Sequence, residues 1–150
     1  MLDLGAAPGS WSQVAAERVG PTGLVVAVDV QTIEPLRGVR SFVGDVRDAD
    51  SIVGAVGRPA DVVLSDVAPH VSGIVVTDQA RAIELASSAL AVATRALRPG
   101  GTFVVKVFRG EDFDTFLKVV RDSFAKANVV IPRATRSESR EAYVVARGRR

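Results

Sequence analysis

The sequence predicts an α/β fold, in which helices cover both faces of a mostly parallel β-sheet. Short runs of apolar and β-branched residues alternate with segments that carry apolar residues at helical spacing. The runs are almost continuously hydrophobic, as is typical of parallel strands buried on both faces. The length of 150 residues, of which 47% are hydrophobic, suits one compact domain, which we expect to span residues 1–150.

The predicted elements alternate along the chain. After residues 1–4, strands are expected at 24–28, 41–43, 62–64, 103–108 and 142–146, and helices at 11–19, 49–56, 78–97 and 113–126. Pro99 and the glycines at 100 and 101 should end the longest helix, because proline cannot continue a helix and glycine supplies the turn. Residues 1–4 are few for a central strand, since strands typically have ~5–6 residues. We therefore expect the first strand to be truncated and the complete protein to have a further N-terminal part.

Composition restricts the class of protein. The chain has no cysteine, which excludes disulfides and thiolate metal sites and favours the cytoplasm. Its apolar stretches are far shorter than the ~20 residues of a membrane helix, and no signal peptide is recognisable. The net charge is only +2, but from Arg133 onward six arginines face two glutamates, Glu138 and Glu141. Such a basic segment suits a polyanion such as RNA, because each neutralised phosphate releases counterions, although a solvated surface is the alternative.

A glycine-rich loop follows the first strand. Residues 3–12 contain Gly5 and Gly9 and lead into a helix, an arrangement that lets a nucleotide approach the backbone closely. The glycine spacing argues against a nicotinamide-dependent oxidoreductase, and the Gly-Lys-Ser/Thr of a phosphate-binding P-loop is missing. Asp29 stands twenty positions after Gly9, where a carboxylate can accept hydrogen bonds from both hydroxyls of a ribose. Asp45 follows the third run and is a candidate acceptor for the amine of an adenine; either aspartate alone is also typical of a helix cap or turn.

Two further strands bring polar residues to the same edge of the predicted sheet. Asp66 follows the strand at 62–64, and Lys106 lies within the strand at 103–108. A lysine in an apolar strand is costly to bury alone, so we expect Lys106 to meet a carboxylate or a substrate. Glu141, at the start of the last strand, is a plausible partner, and a purely structural ion pair is the alternative. His70 is the only histidine and is expected to line the cleft; with no second ligand in prospect, no metal site is predicted.

These motifs together resemble the FtsJ/RrmJ family of RNA ribose 2′-O-methyltransferases. The resemblance is carried by the loop at 3–12 and by the segments 65–69, 72–73, 104–108, 110–111 and 139–141. It extends over nearly the whole chain and is closest to the bacterial branch that methylates a uridine of large-subunit ribosomal RNA. It implies a Rossmann-like methyltransferase fold with a seven-stranded, mostly parallel sheet whose last strand is antiparallel.

The resemblance also implies a cofactor and the residues that bind it. The cofactor is S-adenosyl-L-methionine, which leaves as S-adenosyl-L-homocysteine. The family pattern assigns Asp29 to the cofactor ribose, Asp45 to the adenine and Asp66 to the methionine end. In the loop it assigns Gly9 and Trp11, and we expect Gly5 of the same loop to contribute. For Trp11, packing in the core is the alternative.

The family's catalytic set is Lys-Asp-Lys-Glu, of which Asp66, Lys106 and Glu141 match the last three members. The first lysine would lie upstream of Met1, on an N-terminal helix of the family. Lys106 is the expected proton acceptor, which requires a neutral amine, whereas Asp66 and Glu141 would raise its pKa. Alternatively, Lys106 steers the ribose hydroxyl while water takes the proton.

The expected partner is RNA, most of all that of the large ribosomal subunit, and the expected state is a monomer in the cytoplasm. The alternatives are a non-catalytic RNA- or ribosome-binding module, a 2′-O-methyltransferase acting on tRNA, and a small-molecule methyltransferase.

Overall fold

The computed structural model describes residues 1–133 and 139–150. The stretch 134–138, which includes Arg136 and Glu138 of the basic C-terminal segment, lies outside the described residues. Within the described ranges, four helices flank one sheet of seven strands. The strands are β1 (Leu2–Leu4), β2 (Val25–Asp29), β3 (Val39–Val43), β4 (Ala60–Ser65), β5 (Leu97–Phe108), β6 (Phe124–Val130) and β7 (Glu141–Arg149). The helices are α1 (Ser10–Val19), α2 (Ala49–Val56), α3 (Val75–Ala96) and α4 (Phe113–Ser123).

The sheet has the strand order β3-β2-β1-β4-β5-β7-β6. Strands β1 to β5 run parallel to one another, and β7 is antiparallel to both β5 and β6. The predicted mostly parallel sheet with an antiparallel last strand is therefore confirmed. The chain moves outward from β1 through β2 to β3 and then returns to β4 on the other side of β1. Ligands of open α/β sheets bind at such a reversal, beyond the carboxyl ends of the strands.

Helices cover both faces of the sheet, as predicted. The larger core lies on the face that carries α2, α3 and α4, where the rings of Phe103 and Phe124 stack with their centroids 6.1 Å apart. Burying each such ring stabilises the fold by roughly 1.5–3 kcal/mol. On the opposite face, α1 packs on β2 and β3, and a small cluster forms around Ala6, Ala27 and Ile33. Among the described residues, no helix is both long and apolar enough to cross a membrane.

The structure corrects the sequence prediction at the carboxyl end of α4. The predicted helix at 113–126 is too long, because α4 ends at Ser123 and Phe124 opens β6, a strand that was not predicted. Phe116, Val120 and Phe124 repeat every four residues, so the helical pattern continues past the true end.

The predicted turn at 98–101 lies inside β5 rather than before it. Strand β5 begins at Leu97, directly after α3. Ala60 of β4 pairs with Leu97, but Val62 pairs with Thr102, so two steps along β4 oppose five along β5. The glycines thus form a bulge that displaces the start of the strand from the regular register.

Candidate active site

Two glycines shape the loop between β1 and α1. Gly5 has φ 70°, and a Cβ added to it would lie 2.8–2.9 Å from side-chain and backbone atoms of Val67. Gly9 has φ 125°, and its Cβ would lie 2.8 Å from Leu36 Cδ1. Both positions therefore require glycine for backbone conformation and for close approach. The loop is also tied to β2, since the backbone N–H groups of Gly5 and Ala6 donate to Val28 O at 2.9 and 3.1 Å.

A cleft of about 570 Å³ opens beside this loop, at the carboxyl ends of β1, β2 and β4. Its volume is within the ~300–1,000 Å³ that is usual for small-molecule sites. Four residues expected to bind the cofactor line it, namely Gly5, Asp29, Asp45 and Asp66. His70 lines it too, as expected from the sequence. Arg81 and Glu84 of α3 complete one wall; the sequence analysis missed them, because nothing in a long amphipathic helix marks which polar residues face a cleft.

Asp29 ends β2 and is held by two backbone donors. Its Oδ2 accepts a hydrogen bond from Ala7 N and its Oδ1 accepts one from Gln31 N, both at 2.9 Å. The bond from Ala7 joins the end of β2 to the glycine loop. A carboxylate accepts about four hydrogen bonds, so Asp29 retains capacity for hydroxyl donors from a ligand.

Asp45 follows β3 and is held in a similar way. Its Oδ1 accepts a hydrogen bond from Arg47 N at 2.9 Å, which fixes a short turn. The Arg47 side chain lies alongside, with Nε 3.4 Å from the same oxygen, and both side chains are substantially exposed. The backbone bond, rather than the exposed ion pair, sets the orientation of this carboxylate.

The expected catalytic residues meet at the adjacent ends of β4, β5 and β7. Lys106 Nζ lies 2.9 Å from Asp66 Oδ1 and 3.6 Å from Glu141 Oε1. The lysine side chain is only 14% exposed, so the two carboxylates compensate for its burial, as the sequence analysis expected. At 2.9 Å, Lys106 and Asp66 form a close ion pair, in which both the side-chain contact and the opposite charges favour the ammonium.

The surroundings of Lys106 determine its protonation. Burial acts to lower the pKa of Lys106, but the contact with Asp66 and the charges of Asp66 and Glu141 outweigh burial and raise that pKa above its ordinary value. In this arrangement the side chain is an ammonium at neutral pH. The increase in pKa that was expected from the two carboxylates is therefore larger than the decrease caused by burial.

Asp3 is a buried acid to which the sequence analysis gave no role. It is 0% exposed, and its Oδ2 accepts a hydrogen bond of 2.6 Å from Ser12 Oγ of α1. Its Oδ1 has no hydrogen-bond partner among the described residues. Burial raises the pKa of Asp3 to about 6, although the hydrogen bond from Ser12 acts to lower it. The charges of Asp66 and Asp29 add to the increase. The signal was available, since a lone acid between Leu2 and Leu4 is as unusual as the lysine of β5.

Two of the expected cofactor residues lie away from the cleft lining. The ring of Trp11 contacts that of Tyr143, with centroids 5.8 Å apart and planes tilted by 33°. Tyr143 is paired with Lys106 across β5 and β7, so Trp11 lies beside the expected catalytic residues. Gly9 caps α1 and faces Leu36. Contact of either residue with a cofactor stays a prediction. Among the described residues, no group of three or more His, Asp or Glu is placed to hold a metal ion.

Taken together, the strand order and the acidic cleft beside a glycine loop define a Rossmann-like methyltransferase. Solved structures of that class have the same fold. One from Plasmodium falciparum, provisionally described as a ribosomal RNA methyltransferase, has a TM-score of 0.86 at 24% identity and covers 99% of this chain and 85% of that chain. Human methyltransferase-like protein 13, solved with S-adenosylhomocysteine, has a TM-score of 0.63 at 17% identity and covers 97% of this chain and 70% of that chain.

The family is shown by sequence. The profile of the FtsJ-like methyltransferases matches residues 1–149, and the chain belongs to that family. It is 47% identical to the ribosomal RNA large subunit methyltransferase E of Methanothrix thermoacetophila, where the match covers 98% of this chain and 58% of the relative. For the enzyme of the same name from Marinobacter nauticus the identity is 46%, with 99% of this chain and 73% of the relative covered. The chain thus spans between about half and three quarters of these relatives.

Proposed function

We propose that this chain transfers the methyl group of S-adenosyl-L-methionine to a ribose 2′-hydroxyl of RNA. Membership of the FtsJ-like methyltransferases supports the reaction class. The observation that carries the proposal is the placement of Lys106, 2.9 Å from Asp66, at the edge of a cleft whose other side presents Asp29 and Asp45. A reactive hydroxyl and a nucleoside cofactor would then meet at Asp66.

The residues of the cleft fit S-adenosylmethionine. This cofactor carries a cationic sulfonium and an ammonium, and four carboxylates line the cleft, those of Asp29, Asp45, Asp66 and Glu84. Asp29 would accept hydrogen bonds from its ribose hydroxyls, Asp45 from its adenine amine, and Asp66 would face the charged methionine end. Gly5 would let it approach the loop backbone. When bound, it supplies a methyl group already activated for displacement.

The chain's own task is to position the ribose oxygen and to handle its proton. The 2′ oxygen forms a bond to the methyl carbon, the bond from that carbon to sulfur breaks, and the hydroxyl proton leaves to Lys106 or to water. Because Asp66 and Glu141 raise the pKa of Lys106, the steering role suits the described residues better. As an ammonium, Lys106 donates a hydrogen bond to the ribose oxygen while water takes the proton. A further cation near Lys106, such as the family's first lysine, would lower its pKa and favour the role of base.

The proposed substrate is a uridine of large-subunit ribosomal RNA, in the cytoplasm, with the enzyme as a monomer. Support comes from the names of the two relatives described above and from Arg140, an exposed basic residue directly before Glu141. Experiment distinguishes ribosomal RNA from tRNA as the substrate, and methyl transfer from RNA binding alone.

The decisive experiment supplies labelled S-adenosylmethionine to undermodified large ribosomal subunits, to naked ribosomal RNA and to tRNA. Because a 2′-O-methyl group blocks alkaline cleavage, the label should be recovered in alkali-resistant dinucleotides from the ribosomal samples. Lys106→Met should lower the rate by about 10²–10⁴-fold, whereas Lys118→Met, on the exposed face of α4, should leave it unchanged. Label only in tRNA would overturn the substrate assignment. Cofactor binding without transfer to any RNA would overturn the proposed reaction and favour the RNA-binding module.

A further inference from the structure

Arg109, the first residue after β5, bridges to the start of β7. Its backbone N–H donates a hydrogen bond of 2.9 Å to Arg140 O. Its guanidinium adds two longer contacts to backbone carbonyls, from Nη2 to Ser139 O at 3.4 Å and from Nε to Arg140 O at 3.5 Å. The same side chain thus holds two consecutive peptide groups of the neighbouring segment.

The segment that Arg109 holds leads directly to Glu141. Ser139 Oγ accepts a hydrogen bond of 3.1 Å from Glu141 N, which closes a short turn before the strand. Glu141 opens β7 and pairs with Phe108, the last residue of β5. Its carboxylate lies 3.6 Å from Lys106 Nζ. Residues 139–141 are therefore fixed to the end of the strand that carries Lys106.

Strand ends fray unless they are held, because their last backbone bonds are exposed to water. A frayed start of β7 would carry Glu141 away from Lys106. Among the residues that the structure describes, the Arg109 guanidinium is paired with no carboxylate, and both of its contacts are to carbonyl oxygens. Together with the 2.9 Å bond from the Arg109 backbone N–H, these two longer contacts to adjacent carbonyls oppose fraying at this point.

We propose that Arg109 is a positioning residue that fixes the Glu141 carboxylate beside the Lys106 ammonium. Its guanidinium acts through residues 139–141 and touches neither reacting group. The importance of this contact for catalysis rests on the proposed methyl transfer, but the positioning itself does not. The predicted consequence is that loss of the Arg109 side chain leaves Lys106 with Asp66 as its main partner, so a larger fraction of the amine is neutral at a given pH.

The test measures how fast Lys106 is acetylated by acetic anhydride at pH 8–9, since only the neutral amine reacts. The chain has three lysines, so mass spectrometry reports Lys106 against Lys118 and Lys126 in one sample. Arg109→Ala should raise the rate at Lys106 by about 3–10-fold relative to the other two lysines. Glu141→Gln should raise it at least as much. Arg121→Ala, an exposed change on α4, is the matched control and should change nothing.

A double variant distinguishes positioning of Glu141 by Arg109 from a general loosening of the strand ends. If Arg109 acts through Glu141, adding Arg109→Ala to Glu141→Gln should produce no further increase, because the two changes remove the same contact. Arg109→Lys should restore part of the wild-type rate. An unchanged Lys106 rate in Arg109→Ala, or an increase of the same size in the Glu141→Gln background, would overturn the proposal. The assay needs neither cofactor nor RNA, so its outcome is independent of whether methyl transfer is found.

Discussion

The two sides of the candidate site hold their carboxylates by different means. Beside β2 and β3, Asp29 and Asp45 accept hydrogen bonds of 2.9 Å from backbone N–H groups. Beside β4, β5 and β7, Asp66 and Glu141 depend on one lysine, Lys106. The first arrangement is set by the course of the chain, whereas the second is set by the charges of side chains.

This difference suits one side of the site to binding and makes the other side sensitive to charge. The hydrogen bonds to Asp29 and Asp45 come from the backbone and do not depend on the charge of another side chain, so this side, the proposed cofactor side, is preorganised for binding. Side-chain charges are coupled, so a change at Asp66 or Glu141 alters the pKa of Lys106. Asp3 belongs to this second group, because the hydroxyl of Ser12 is its only hydrogen-bond partner among the described residues and the charges of Asp66 and Asp29 raise its pKa. The predictions below test whether the division is real.

The largest expected effect is on stability, at Asp3. Its pKa is raised from 3.8 to about 6 in the folded protein, so the folded state binds this proton more tightly than the unfolded chain. As the pH rises from about 4 to above 6, the proton is lost and the free energy of unfolding should fall, by up to about 3 kcal/mol. Asp3→Asn, which mimics the protonated acid, should match the wild type near pH 4 and exceed it by up to that amount at pH 7.

Chemical denaturation at several pH values measures this difference. Asp122→Asn, on the exposed end of α4, is the control and should change the free energy of unfolding by less than about 0.5 kcal/mol throughout. If Asp3→Asn increased the free energy of unfolding by the same amount at pH 4 and pH 7, titration of Asp3 would not explain the effect, and Asp3 would not belong to the group held by side-chain charges.

Next in size is an effect on cofactor affinity, at Asp29. Asp29→Ala removes the acceptor for Ala7 N as well as the expected contact to the ribose, so it should raise the Kd for S-adenosylmethionine by about 10–100-fold. Lys106→Met should change that Kd by less than about threefold, although it should lower the rate of methyl transfer by about 10²–10⁴-fold. Isothermal titration of both variants with S-adenosylmethionine measures this contrast. Equal losses in the two variants would mean that the two sides do not act separately.

The fold was largely predictable because its signals are local. Helix α2 at Ala49–Val56 has the predicted bounds, since Asp48 caps its start and Gly57 ends it. Strand β6 was missed for a physical reason. As an edge strand it is buried mainly through Phe124 and Ala127, and polar residues such as Lys126 and Asn128 interrupt its apolar pattern.

The site was predictable where an unusual residue interrupts a sequence pattern. It was not predictable where a residue that is common in its context makes a specific contact. A lysine inside an apolar strand led to Lys106 and its partners. Arg109 could not be found that way, since an arginine after a strand is ordinary until its contacts to the carbonyls of residues 139 and 140 are seen. Which residues of α3 line the cleft also depends on how the helix is rotated, which the sequence leaves open.

The smallest expected effect sharpens the comparison on the cofactor side, at Arg47. Its exposed side chain lies 3.4 Å from Asp45, but Asp45 is held by the Arg47 backbone N–H, which every substitution other than proline keeps. Arg47→Ala should therefore change the Kd for S-adenosylmethionine by less than about twofold, because exposed ion pairs contribute about 0–1 kcal/mol. Asp45→Ala, which removes the acceptor itself, should raise that Kd by about 5–10-fold. If titration shows that Arg47→Ala weakens binding as much as Asp45→Ala does, side-chain charge governs the cofactor side as well.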